Sequence, residues 1–315
     1  MHDLSNELRQ LPRDPATDAA LLQALRLEGR EVFSIRRELL FVLYVGVATL
    51  VAGVGVLIKA NISRIGPVAL LSGIFAAAAL CYALALRARG ARRERSLGED
   101  YVLLLGALLF STAVGYAEVK FRVFGANWSW HLLWLTLWHL ASAYFFRSKL
   151  VLSVAITGFA SWLGVQAQLG ALFEPRYRLL GLAPRALFCA VILYDASRLH
   201  RYEQPERSSG FRDVYLQFAV NFGFWGALAL GVDPATRWIG ALILLALAVA
   251  VTHAGLTERR ESFLIYALGY SAIGLIWLEV LVLRDFALVS WLGLFTVVGA
   301  VVLLLNLRAR LKEST

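Results

Sequence analysis

The chain has 315 residues, of which 59% are hydrophobic and 17% charged, and its mean hydropathy is +0.65. A soluble domain is roughly 45–50% apolar, so this composition excludes an ordinary water-soluble enzyme and names the bilayer as solvent. The net charge of +9 raises nucleic acid as a partner, a reading that the placement of the basic residues removes.

In chain order, Met1–Pro15 is polar, and Ala16–Glu38 has the pattern of an amphipathic helix. Thr17 or Asp18 is placed to cap it, and Leu21, Leu22, Leu25, Val32 and Phe33 form one stripe. Residues 1–38 are therefore expected to be a cytoplasmic tail that either lies against the membrane or docks a partner. No signal peptide is evident, because the first apolar run begins at Leu39 behind six arginines. The first span is expected to serve as the insertion signal.

Runs of about 17–25 mostly apolar residues mark spans. They occur at Leu39–Leu57, Ile65–Leu86, Tyr101–Val119, Trp128–Phe146, Leu150–Phe173, Arg178–Tyr194, Val214–Val232, Trp238–Gly255, Phe263–Leu283 and Ala287–Leu307. The expectation is an all-α, polytopic transmembrane bundle of about ten spans. Residues 39–194 form a six-span half, 195–213 a cytoplasmic linker, 214–307 a four-span part and 308–315 a carboxy-terminal tail.

With the amino terminus inside, the inner segments hold 22 Lys and Arg and the outer segments 8, with Arg185 inside the sixth span. This is the positive-inside asymmetry. The charge thus reports orientation, both termini are expected to be cytoplasmic, and nucleic acid is not a partner. Spans one to three and seven to nine share a faint pattern: Ser63–Gly66 with Glu118 and Arg122, against Thr236–Gly240 with Glu279 and Arg284. That pattern suggests a parallel repeat.

Polar residues inside spans are the candidates for function. Glu118, Gln166, Gln168, Arg185, Glu279 and His131 all fall in the outer half, and together they would line a polar cavity with Arg185 as counter-ion to a carboxylate. The alternative is that Glu118 and Glu279 only mark span ends beside Lys120, Arg122 or Arg284. His139 lies near mid-span and shares a side with Thr136, Ser142 and Ala143. It is either a proton carrier or a neutral imidazole held by one interhelical hydrogen bond. Trp128, Trp130 and His131 at one end of that span, and Arg147 and Lys149 at the other, read as interfacial anchors.

Gln217 and Asn221, one turn apart, read as interhelical glue. Gly46, Gly53, Gly55, Gly269, Gly274, Gly293 and Gly299 permit close helix approach. Cys81 and Cys189 have no C-x-x-C or His-rich partner, so no metal or disulfide is expected. Nor is there an H-E-x-x-H, G-x-S-x-G, G-x-x-x-x-G-K-[ST] or G-x-G-x-x-G motif, and no catalytic residue or cofactor is assigned.

The runs "ELLFVLYVGVATLVAGVGVLIKANISRIGPVALLSG", "EDYVLLLGALLFSTAVGYAEVKF" and "WHLLWLTLWHLASAYFFRSKLVLSVAITGFASWLG" resemble the bacterial DUF2157 family of predicted integral membrane proteins, over roughly Glu38–Gly164. The resemblance rests on a Gly-rich first span ending at Ala60 and Asn61, an apolar run around Gly106, and a Trp-rich fourth span ending at Phe146, Arg147 and Ser148. Ile62 stands where family members usually carry Trp. The resemblance implies a bacterial inner membrane location and a polytopic helical fold, and it carries no reaction or substrate. The leading functional expectation is a small-solute or ion transporter with an outward-facing polar cavity. The alternative is a non-transporting scaffold or sensor that binds a cytoplasmic partner through its tail and linker, with an intramembrane enzyme third. Lipid is the expected surrounding partner, with a small solute or proton as cargo, and the oligomeric state is left open.

Overall fold

A computed structural model describes residues 35–61, 66–91, 97–125, 130–164, 181–200, 210–283 and 285–313. In order these form α1 (Ile35–Asn61), α2 (Pro67–Ala91), α3 (Leu97–Phe121), α4 (Trp130–Phe146), α5 (Lys149–Trp162), α6 (Leu182–Leu199), α7 (Phe211–Val232), α8 (Arg237–Thr257), α9 (Glu261–Leu283) and α10 (Phe286–Glu313). No strand occurs among the described residues. The cause lies in the solvent: in hydrocarbon every backbone polar group must be satisfied internally, which a helix does within one segment.

Among the described residues, six helices are long and apolar enough to cross a membrane, at Pro67–Ala88, Gly98–Phe121, Phe211–Val232, Arg237–Thr257, Glu261–Leu283 and Ala287–Ala309. The other four expected spans correspond to helices that fall short of that mark. The apolar part of α1 is Val42–Leu57, and α4 has 17 residues. With 14 residues, α5 is about 21 Å long against a hydrocarbon core of about 30 Å. It stops where Gly164 takes a left-handed backbone, φ 76°, so the described part of the expected Leu150–Phe173 span ends early. α6 carries Arg185, Asp195 and Arg198 and runs on to Leu199, past the expected end at Tyr194, because polar residues end an apolar run without ending a helix. Of the expected amphipathic helix Ala16–Glu38, residues 16–34 lie outside the described residues, and 35–38 already belong to α1.

The chain divides into two units at Arg64. The first contains α1, and α2 to α10 form the second. Within the second, consecutive helices pair as α2/α3, α4/α5 and α6/α7, and α7, α8, α9 and α10 pack in succession. Three helices end on an arginine in the left-handed region: Arg122 (φ 49°) after α3, Arg147 (φ 55°) after α4 and Arg259 (φ 53°) after α8. At the last two the chain closes a six-residue loop, Ser148 N to Ala143 O at 3.0 Å and Arg260 N to Gly255 O at 2.8 Å. Glycine usually takes that position. Arginine here accepts the backbone cost and places its charge against the negative end of the helix dipole.

α7 is the central helix. Its Phe211, Tyr215, Ala219 and Ala229 join Leu103 of α3, Phe146 of α4, Val151 and Leu152 of α5 and Cys189 of α6 in one buried cluster. Its Val220 and Phe224 join Val251 of α8 and Phe263 and Ala267 of α9 in a second. α7 is also tied to α9 by a polar pair, for the Tyr270 hydroxyl donates to Asn221 Oδ1 at 2.8 Å. Asn221 Nδ2 in turn donates to the Gln217 carbonyl at 2.8 Å.

Candidate functional site

The buried face of α4 consists of His131, Leu135, Thr136, His139, Ser142, Ala143 and Phe146. Trp130, Trp134, Leu137 and Trp138 lie on its exposed side. His139 is 1% exposed, and its Nε2 lies 2.7 Å from Ser111 Oγ of α3. Ser111 Oγ is also 3.0 Å from the Ala107 carbonyl, and a hydroxyl has one hydrogen to give. The arrangement that satisfies both contacts gives that hydrogen to Ala107 O, so the imidazole Nε2–H donates to Ser111. His139 Nδ1 is then a buried acceptor with no partner. Phe110 presents its edge to the imidazole at 6.2 Å and stacks on Trp138 at 5.0 Å.

Glu118 is also buried, 7% exposed. Its Oε2 accepts from the Phe124 backbone N–H at 2.9 Å, bracing the turn that follows α3. The carboxylate borders a small apolar pocket of about 290 Å³ with Phe75, Phe110 and Trp134 among its walls. Glu279 has a different setting. Its Oε1 accepts from Thr296 Oγ1 of α10 at 2.7 Å, while Oε2 is buried with no hydrogen-bond partner and lies near Gly293, whose missing β-carbon would be 3.8 Å away.

Glu118, His139 and Glu279 therefore make separate hydrogen bonds. Glu118 serves the α3–α4 turn, His139 the α3–α4 contact and Glu279 the α9–α10 contact. Arg185 is exposed on the first turn of α6. Its guanidinium lies against Gly164 just past the end of α5, and among the described residues no carboxylate pairs with it. A cation beside a helix carboxyl end is favoured by the dipole, which is a structural use of that charge. His131 is buried at the first turn of α4. Gln166 and Gln168 lie outside the described residues. Glu118 and Glu279, equivalent in the suggested repeat, bond differently, one to its own turn and one to the next helix.

The opposite end of the bundle carries polar groups that the sequence does not announce. The Tyr144 hydroxyl lies 2.7 Å from His200 Nε2 and 3.0 Å from the Tyr215 hydroxyl, and His200 stacks on Tyr215 at 5.6 Å. Beside them, Arg212 pairs with Glu258 at 3.0 Å, and Arg260 pairs with Asp213 at 2.8 Å and with Glu258 at 2.9 Å. Arg308 pairs with Glu261 at 2.6 Å. Apart from Arg260 with Glu258, two residues away, and the His200–Tyr215 stack, these partners are separated by 46 to 71 residues, so local spacing does not point to them.

No curated protein and no solved structure matches the chain. The model of a family of predicted membrane proteins, DUF2157, matches residues 14–152. Over that stretch, which takes in α1 to α4 and the start of α5, the chain is similar to this family, and the match together with the six helices long and apolar enough to cross a membrane supports an integral membrane protein.

Proposed function

We propose that the chain is a carrier of the bacterial inner membrane for a proton or small solute, with ten membrane-embedded helices, both termini cytoplasmic, and Glu279 as its ionisable group. The observation that supports this reading is the second oxygen of Glu279, buried between α9 and α10 without a partner. An ionisable residue inside a membrane helix is costly to keep and is a functional candidate for that reason. Thr296 holds one oxygen, and the glycine at 293 leaves the other free of a side chain. The bare oxygen is therefore the place where a proton or small cation would sit. Glu118 braces a turn and His139 Nε2 joins α4 to α3, and in this reading they hold the frame, although His139 Nδ1 is also buried without a partner.

The test is proton entry into liposomes containing the purified protein and a trapped pH dye under an imposed potential. Flux above that of empty liposomes, falling about tenfold or more in Glu279→Gln with the melting temperature preserved, supports the proposal. Flux that Glu279→Gln leaves intact removes Glu279 as the carrier group. Absence of flux removes proton carriage and favours the second reading, a non-transporting scaffold or sensor that binds a cytoplasmic partner. What speaks for that reading is the structural employment of Glu118 and His139.

A further inference from the structure

The helices α7 and α8 are in backbone contact beside their turn. At Gly240 the α8 backbone lies against Gly231 and Ala227 of α7, so the hairpin is closed beside its turn. Toward the other end a crevice of about 690 Å³ lies between α6, α7 and α8. That volume lies within the roughly 300–1,000 Å³ of ligand-sized pockets.

Its floor is α7, where Ala219 and Gly223 keep the surface recessed, and its walls are Leu187 and Val191 of α6 and Leu247 and Val251 of α8. From Arg212 to Gly223 the floor runs about 16 Å along the helix at 1.5 Å per residue. The walls are apolar throughout this length, and the polar residues gather at the open end: Tyr194, Ser197 and Arg198 of α6, Arg212 of α7 and Glu258 after α8. Arg212 and Glu258 pair with each other. Arg260 is shared between Asp213 and Glu258. Arg198 is exposed in the last turn of α6 and forms no ion pair among the described residues. Among the described residues that line the crevice, Arg198 is the charged group outside the Arg212–Glu258 pair.

We propose that this crevice is a lipid site, holding one acyl chain between α6 and α8 and an anionic phosphate headgroup at Arg198. A long apolar trough that ends in a cation at the membrane surface complements an anionic phospholipid. A soluble anion would leave the trough empty, and a neutral amphiphile would make no charge contact with Arg198. The site is distinct from Glu279 and does not depend on transport.

The experiment is native mass spectrometry of the full chain equilibrated with equal amounts of phosphatidylglycerol and phosphatidylcholine. Wild type is expected to retain one phosphatidylglycerol in preference to phosphatidylcholine. Arg198→Glu is expected to reduce that preference about fivefold, the worth of roughly one basic residue at an anionic surface. Gly223→Leu, which fills the trough where a β-carbon would already stand 3.4 Å from Leu247, is expected to lose the bound lipid of either class. If that variant does not fold, Ala250→Phe at the exposed rim of the crevice replaces it. Equal retention of both lipids, or a preference unchanged in Arg198→Glu, overturns the proposal. So does displacement by glycerol phosphate without acyl chains, which would make the site one for soluble anions. Glu279→Gln is expected to retain the lipid, so a failure of the carrier reading and a failure of this one give different results.

Discussion

At Gly240 a β-carbon would stand 2.8 Å from the Ala227 carbonyl oxygen and against the Gly231 nitrogen and the Leu230 carbonyl carbon. All of these are backbone atoms, so no side chain can swing aside, and Gly240→Ala must push α7 and α8 apart. Overpacking of this kind costs about 1–3 kcal/mol, and the absence of a flexible neighbour places it toward the upper end. Gly269 of α9 is the control, since nothing lies within 4 Å of its missing β-carbon. There alanine is expected to be neutral or to gain up to about 1 kcal/mol in helix propensity. Thermal unfolding in detergent should show Gly240→Ala lowered and Gly269→Ala unchanged or raised; equal midpoints would mean that the close approach at Gly240 carries no weight. Gly240 is not among the seven glycines that the sequence singles out for helix contact. Of those, Gly269 and Gly299 have nothing within 4 Å, whereas Gly274 meets Leu244. The reason is physical: on a helix apolar all round, composition does not tell which face turns toward a neighbour.

The same absence of a polar face governs whole helices. More than half of the apolar stretch of α7 is buried, 56%, against none of that of α10, yet both read as uninterrupted apolar runs. What separates them is number of neighbours: α7 packs on α5, α6, α8 and α9, whereas the principal partner of α10 is α9. Trp291, Leu294 and Val298 lie on the side of α10 away from Thr296, the residue that bonds Glu279, and all three are exposed. That side is expected to face lipid. In single-tryptophan variants, brominated lipid should quench Trp291, and tryptophan placed at Leu294 or Val298, strongly, while the partly buried Trp225 of α7, edge-on to Tyr270 at 6.1 Å, should be quenched weakly. Protection at all three α10 positions would mean that another chain covers the helix.

At the scale of the molecule, helical class, the order of the elements and most of their positions are legible in the sequence, because a bilayer leaves a chain few alternatives. The candidate site is legible only as a set of residue types. Glu279, Glu118 and His139 are conspicuous as polar groups in apolar runs, but their partners Thr296, Phe124 and Ser111 are ordinary residues chosen by tertiary packing. For orientation, charge supplies an expectation. The structure gathers the end of α4, the end of α6 and the start of α7 through Tyr144, His200 and Tyr215. It joins the start of α7 to the α8–α9 turn through Arg212, Asp213, Glu258 and Arg260, and the start of α9 to the end of α10 through Glu261 and Arg308. These ends therefore lie together, and they are the arginine-rich ones, which the positive-inside asymmetry assigns to the cytoplasm.

Reporter fusions along the chain test that assignment. A periplasm-active enzyme joined after Ala235 or Asp285 should be active, and one joined after Arg259 or Thr315 inactive, with a cytoplasm-active fluorescent fusion giving the reverse pattern. Inversion at all four positions would mean that the charge difference is overridden during insertion. Equal signals at Ala235 and Arg259 would mean something more local: that α8, for all its apolar length, lies within the membrane without crossing it, and that the crevice beside it opens to a different depth.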